Sequence, residues 1–192
     1  MESLKFAIGD ENKRNIGIIR NILVSRGHTI SCEEDEGPSL MRKIRSLAPD
    51  FVIVSYNMPG MKGLEVARIA QQDKLAPVLL TADSTHDIFV GSMGNEYYPY
   101  IIKPISEVQL LSTIEFVYNS FIHLKTLEGE ITELKSTLET RKLVERAKGI
   151  LIDSYNMKEK DAFRYLQKRS MDECKPVIEI AKRIIEKSKN IK

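Results

Sequence analysis

At 192 residues with 42% hydrophobic composition, the chain is long enough for one or two domains and rich enough in aliphatic side chains to fill a core. Its only cysteines, Cys32 and Cys174, are too few and too far apart for a disulfide framework or a zinc site. No stretch approaches the ~20 apolar residues of a membrane helix, and the charged start MESLKFAIGDENK lacks an apolar signal core, so a cytoplasmic, reducing setting without membrane contact is expected. The net charge of +2 hides an asymmetry: residues 141–192 carry 15 Lys/Arg against 8 Asp/Glu, and the rest of the chain 14 against 19. A basic tail behind an acidic body points to an anionic partner for the tail.

In chain order, Leu4 to Gly9 reads as a buried strand that delivers Asp10 and Glu11 at its C-terminal end. Ile16 to Arg26 has helical spacing and is closed by Gly27. His28 to Cys32 is a weak second strand, and Pro38 to Leu47 a helix with Leu40, Ile44 and Leu47 on one face. Phe51 to Ser55 is the wholly apolar kind of strand found inside a parallel sheet. The loop Met58-Pro-Gly-Met-Lys-Gly63 leads to a helix over Leu64–Gln72. Pro77 to Thr81 is a fourth strand, Asp87 to Met93 a short helix, and Tyr100 to Ile102 a fifth strand stopped by Lys103-Pro104. Glu107 to Phe121 is a fifth helix.

Five β–α units with short connections predict a parallel, doubly wound α/β sheet. In such sheets chemistry gathers beyond the carboxyl ends of the strands. Asp10, Glu11, Ser55, Thr81 and Lys103 all fall at those ends, so they are expected to share a crevice.

These residues resemble a response-regulator receiver domain, which implies the flavodoxin-like fold of two-component signalling. The resemblance spans Lys5 to Phe116. It is carried by the acid pair Asp10-Glu11, the loop from Asn57 to Gly63, the switch hydroxyl in Thr81-Ala82, the switch aromatic Tyr100 and the pair Lys103-Pro104. The sequence departs from the family where it matters most. The phosphoacceptor aspartate belongs at the end of the third strand, and that position is Ser55. A hydroxyl supplies neither the ionised nucleophile nor a strong ligand for Mg²⁺. Asp50 starts the strand at the opposite edge and cannot substitute. The resemblance therefore implies a pseudo-receiver, with the fold kept, aspartyl phosphorylation lost, and a salt bridge from Lys103 to the acid pair. The bland alternative for Thr81, Tyr100 and Lys103 is a role in packing and charge balance only.

From His123 onward Leu124, Leu127, Ile131, Leu134 and Leu138 alternate spacings of three and four. That is a coiled-coil seam. It predicts a homodimer through a linker over residues 122–140, following a receiver-like domain over 1–121. The competing reading is one amphipathic helix lying on its own domain.

Residues 141–192 read as a small all-α bundle of three helices. The first runs from Arg141 to Tyr155, with Val144, Ala147, Leu151 and Tyr155 on one face. The second runs from Lys158 to Arg169, with Ala162, Phe163 and Leu166 inward. Ser170 to Lys175 is a turn, and the third helix follows Pro176. No catalytic constellation, metal set or cofactor motif is present, so no enzyme is expected.

The order of ERAKGIL, AFRYL and Ser170-Met171 resembles the ANTAR module over about Thr140–Glu186. That family is a three-helix RNA-binding domain of transcription antiterminators. The resemblance implies recognition of stem-loops in a nascent leader transcript, so that a terminator hairpin does not form. Candidate RNA contacts are Arg141, Arg146, Lys148, Gly149, Arg164, Lys168, Arg169 and Ser170. Basic side chains serve phosphate, and Gly149 either admits RNA backbone or packs a helix closely. In place of phosphate the resemblance implies either a regulatory partner protein that sequesters the dimer or constitutive activity governed by expression, and the sequence does not choose between them. Two other readings stay open: a DNA-binding response regulator, and a protein-interaction adaptor.

Overall fold

Strand residues alternate sides, and that alternation builds the first half of the protein from two apolar faces. The protein is described by a computed structural model covering residues 3–83 and 98–189, so the helix expected over Asp87–Met93 lies outside the described residues. Strands β1 (Lys5–Gly9), β2 (Thr29–Glu34), β3 (Phe51–Ser55), β4 (Val78–Ala82) and β5 (Tyr100–Ile102) form one all-parallel sheet in the order β2-β1-β3-β4-β5. This is the flavodoxin-like order, with its switch point beside β1 and β3. β3 and β4 are buried along their whole length.

Helices α1 (Lys13–Ser25), α2 (Gly37–Leu47) and α3 (Gly63–Gln72) connect the strands, and α4 (Glu107–Tyr155) follows β5. One core joins Phe6, Ile8, Phe51, Ile53 and Leu79 to α1 and the first turns of α4 through Ile19, Leu23, Leu110 and Ile114. The other joins Ala7, Val52, Val54 and Leu80 to α2 and α3 through Leu40, Ile44, Val66 and Ala70. β2 runs two residues past the expected Cys32 and is only half-buried, as suits an edge strand. Leu47, expected inward, ends α2 43% exposed.

The chain divides into two compact units, Met1–Leu124 and Lys125–Lys192. α4 is a single helix of 49 residues. All of residues 122–139 are exposed, including Leu124, Leu127, Ile131, Leu134 and Leu138. In the second unit, the end of α4 packs with α5 (Glu159–Asp172) and α6 (Val177–Lys189). Ala147, Leu151, Ala162, Leu166, Ile180, Ala181 and Ile185 form the core. Asn156 (φ 52°) and Cys174 (φ 51°) adopt left-handed backbone beyond the ends of α4 and α5.

Three expectations are corrected here. Ser170 belongs to α5, which runs to Asp172, because Glu173 and Cys174 rather than Ser170 close the helix. Phe163 is 42% exposed, being one turn-step off the Ala162–Leu166 stripe. Tyr155 is 62% exposed, because it is the last residue of α4 and lies beyond the packed turns.

Candidate functional site

The crevice of the first unit is built where parallel strands end together. β1 stops at Gly9 and presents Asp10 and Glu11; β3 ends in Ser55, paired in register with Thr81 of β4. β5 is followed by Lys103, whose bond to Pro104 is cis. α3 must start hard against β3, since a Cβ on Gly63 would lie 2.1 Å from the Ser55 carbonyl oxygen.

Lys103 occupies the centre of the acidic cluster. Its Nζ lies 3.0 Å from Asp10 Oδ2, 3.4 Å from Glu11 Oε1 and 3.8 Å from Asp83 Oδ1. It also donates to Ser55 Oγ at 3.1 Å. Asp10 is fully buried, and its Oδ1 accepts from the Asn12 N–H at 2.9 Å and from Asn15 Nδ2 at 3.1 Å. The ion pair expected across the crevice is thus present. Burial works against the Lys103 ammonium, but Asp10, then Glu11 and Asp83, outweigh it and hold its pKa above the ordinary value. Burial pushes the Glu11 carboxyl up, yet hydrogen bonding with Ser55 and the Lys103 charge bring it below its usual range. The Thr81 hydroxyl is fully buried with no hydrogen-bond partner among the described residues. Tyr100, the first residue of β5, is 39% exposed.

Asp83 and Asn15 were not singled out from sequence. Asp83 sits two residues past Thr81, a spacing that places it at the same sheet edge and was available as a signal.

The donor set does not suit the Mg²⁺ that a phosphorylatable receiver holds. A hydroxyl, that of Ser55, stands at the end of β3. An ammonium already sits within ion-pairing distance of Asp10, Glu11 and Asp83. Mg²⁺ needs near-octahedral oxygen ligands and one or two free carboxylates. One cation, Lys103, thus sits among three carboxylates, and the end of β3 carries a hydroxyl rather than a carboxylate.

In the second unit the basic residues sort into three environments. Arg141, Arg146, Arg164 and Lys168 are exposed and form no ion pair among the described residues. Helical periodicity sets Arg146 and Gly149 opposite the Ala147–Leu151 core stripe of α4, and Arg164 with Lys168 opposite the Ala162–Leu166 stripe of α5. Gly149 has open space where a Cβ would be, so no close helix packing requires it.

Lys148 does not belong with them, which corrects the expectation that it faces outward. It is 9% exposed, and its Nζ bridges Glu145 at 3.0 Å and Glu159 at 3.1 Å while lying 5.9 Å from the centre of the Phe163 ring. It braces α4 against α5. Ser170 Oγ donates to the Lys175 carbonyl at 2.5 Å and ties the end of α5 to the turn.

Arg169 is in the third environment. Its guanidinium lies over the Tyr165 ring, donates Nε to Tyr165 Oη at 3.2 Å, and pairs through Nη1 with Glu173 at 2.8 Å. Arg183 of α6 pairs with the other oxygen of the same carboxylate. Hydrogen bonding from Arg183, then from Arg169, holds the Glu173 carboxyl below its ordinary range against a smaller opposing effect of burial.

Comparison with known proteins agrees with this division. Residues 6–115 match the family described as the response regulator receiver domain, and residues 132–185 match the ANTAR domain. The transcriptional regulatory protein PdtaR of Mycobacterium tuberculosis is 34% identical over 169 residues, which cover 88% of this chain and 82% of PdtaR. The chemotaxis protein CheY of Pseudomonas aeruginosa is 30% identical over 119 residues, covering 60% of this chain and 96% of CheY. Among solved structures, the signal receiver domain of NarL from Mycobacterium tuberculosis superposes with a TM-score of 0.54 at 21% identity, covering 62% of this chain and 98% of that domain. That likeness concerns the fold alone.

Proposed function

The chain belongs to the response regulators, with a receiver domain followed by an ANTAR domain, and from this we propose that it is a transcription antiterminator which binds stem-loops in nascent leader RNA. The observation that carries the reading is the agreement of two facts. An ANTAR domain covers the bundle, and Arg141, Arg146, Arg164 and Lys168 on its α4 and α5 are exposed with no ion-pair partner among the described residues. Unpaired surface arginines and lysines suit phosphate, and RNA readers combine them with loops whose bases are splayed. Holding one hairpin in the leader prevents an overlapping terminator from forming.

In this reading the receiver is a pseudo-receiver. Support comes from Ser55 at the acceptor position and from Lys103 satisfying the acids around it. Its input is then a regulatory partner protein or the level of the protein itself. Support for a homodimer comes from five large apolar side chains, Leu124 to Leu138, exposed at alternating spacings of three and four on a long helix. Two bundles on one dimer would grip paired hairpins. The site of action is the cytoplasm; no helix among the described residues is long and apolar enough to cross a membrane.

The test is a gel-shift comparison of a looped RNA hairpin, its loopless duplex, and DNA duplex of equal length. The looped RNA is expected to bind, with log affinity falling linearly in log salt. Preference for duplex DNA would replace the reading with a DNA-binding regulator. No binding to any of the three at low salt would leave a protein adaptor.

A further inference from the structure

The second unit contains a groove of about 870 Å³ between the end of α4, α5 and α6. Its volume falls in the range of sites that enclose small ligands or single nucleotides. The floor is apolar, with Leu151 and Ile180 almost fully buried beneath it. Tyr155, 62% exposed, stands at one side and Tyr165, half-buried, at another. Along the rim lie Arg169 and Arg183, one from each of two helices.

The two guanidiniums are already arranged for an anion. Both converge on Glu173, one on each carboxylate oxygen. Arg169 is further oriented by its hydrogen bond to Tyr165 Oη. Two planar donors aimed at one point is the geometry that recognises phosphate as readily as carboxylate. The outward stripe of Arg164 and Lys168 adjoins the Tyr165–Arg169 stripe on α5, about 100° around the helix. A strand of RNA held by the first stripe would lie beside Tyr165 and Arg169, which line the groove.

We propose that this groove receives one unpaired loop nucleotide, with its base against Tyr155 and Tyr165, its phosphate between Arg169 and Arg183, and Glu173 as the resident anion it displaces. The inference rests on the RNA-binding reading above and adds to it a location, a unit of recognition and a built-in competitor. Aromatic faces stack any base, and adjacent arginines hold the phosphate; an apolar floor alone would suit a peptide, but it would not call for two guanidiniums converging on one anion.

The experiment uses the full chain and a pool of RNA hairpins of fixed stem and randomised loop, with 5-iodouridine in the loop for photo-crosslinking. The expected result is a crosslink to Tyr155 or Tyr165. Tyr155→Ala, at an exposed position that leaves the core intact, should weaken hairpin binding roughly five- to a hundred-fold. Arg183→Gln should weaken it about tenfold or more. Glu173→Gln should tighten it, because the two arginines no longer have a competing charge. Wild-type binding with Tyr155→Ala and Arg183→Gln unchanged, or crosslinks confined to residues outside the groove, overturns the groove while leaving RNA binding in place. Unchanged or weaker binding by Glu173→Gln overturns the displaced-anion assignment. Failure of the wild-type chain to bind any hairpin overturns the underlying reading and this inference together. Equal competition by polyglutamate would assign the groove to an acidic protein partner instead.

Discussion

Lys103 is the cation at the centre of the crevice. It sets a single positive charge among Asp10, Glu11 and Asp83, and Ser55 adds a hydroxyl without adding charge. Removing it would strand the fully buried Asp10. Lys103→Met is expected to destabilise the first unit by about 3 kcal/mol, the low end for breaking a buried pair; urea unfolding measures it. The pH dependence follows from the two shifted groups. Glu11 titrates below its ordinary 4.5, so its contribution is complete above that value and disappears as pH falls through the lowered one. Lys103 titrates above its ordinary 10.5, so its contribution is complete below that value and fades as pH rises through the raised one. Ser55→Ala removes one cause of the Glu11 shift. The loss of stability on acidification below pH 4.5 should therefore be shallower in that variant than in the native chain. Ser55→Asp adds a fourth carboxylate beside Asp10, Glu11 and Asp83. Its melting temperature should rise with millimolar Mg²⁺, whereas that of the native chain should not; an equal rise in both would contradict the internal-cation account of the crevice.

α4 carries three environments in succession: core against the sheet, an exposed leucine seam, and the first helix of the bundle. It stays helical throughout because Pro is absent and most residues are good helix formers. Gly149 is its informative weak point. A methyl group there meets nothing within 4 Å. Gly149→Ala should raise the stability of the bundle by about 0.5–1 kcal/mol, the usual gain at an interior helical glycine. If RNA backbone approaches this stripe, the same substitution should weaken hairpin binding. A variant that is both more stable to heat and equally tight in gel shifts would remove Gly149 from the interface.

For the molecule as a whole, the question is whether two bundles act as one. The Leu124–Leu138 seam leaves five large apolar side chains exposed on one helix, and burying them against a second copy is the proposed use. Replacing Leu127 and Leu134 with Glu should halve the mass measured by light scattering. It should also cost up to 10²–10⁴-fold in affinity for tandem hairpins while changing affinity for a single hairpin far less, since linked sites gain by effective concentration. Equal losses on one hairpin and on two would tie the seam to folding of the bundle rather than to pairing.

The α/β alternation and the strand ends that meet in the crevice were legible from residue order, because each depends on local periodicity and on the rule that parallel strands deliver their C-terminal ends to one edge. The three-helix pattern of the tail was legible for the same reason. The reading of Ser55 as the acceptor position came from the resemblance to receiver domains alone. What could not be read was which charges remain free. Lys148 looked like any other surface lysine until Glu145 and, from the next helix, Glu159 were brought to its ammonium. Arg169 and Arg183 lie 14 positions apart and meet only because α5 and α6 pack so that both reach Glu173. Spacing along a chain assigns a residue to a face of its own helix; whether that face meets solvent, an acid or an aromatic ring depends on the neighbouring helix, and that is a matter of packing.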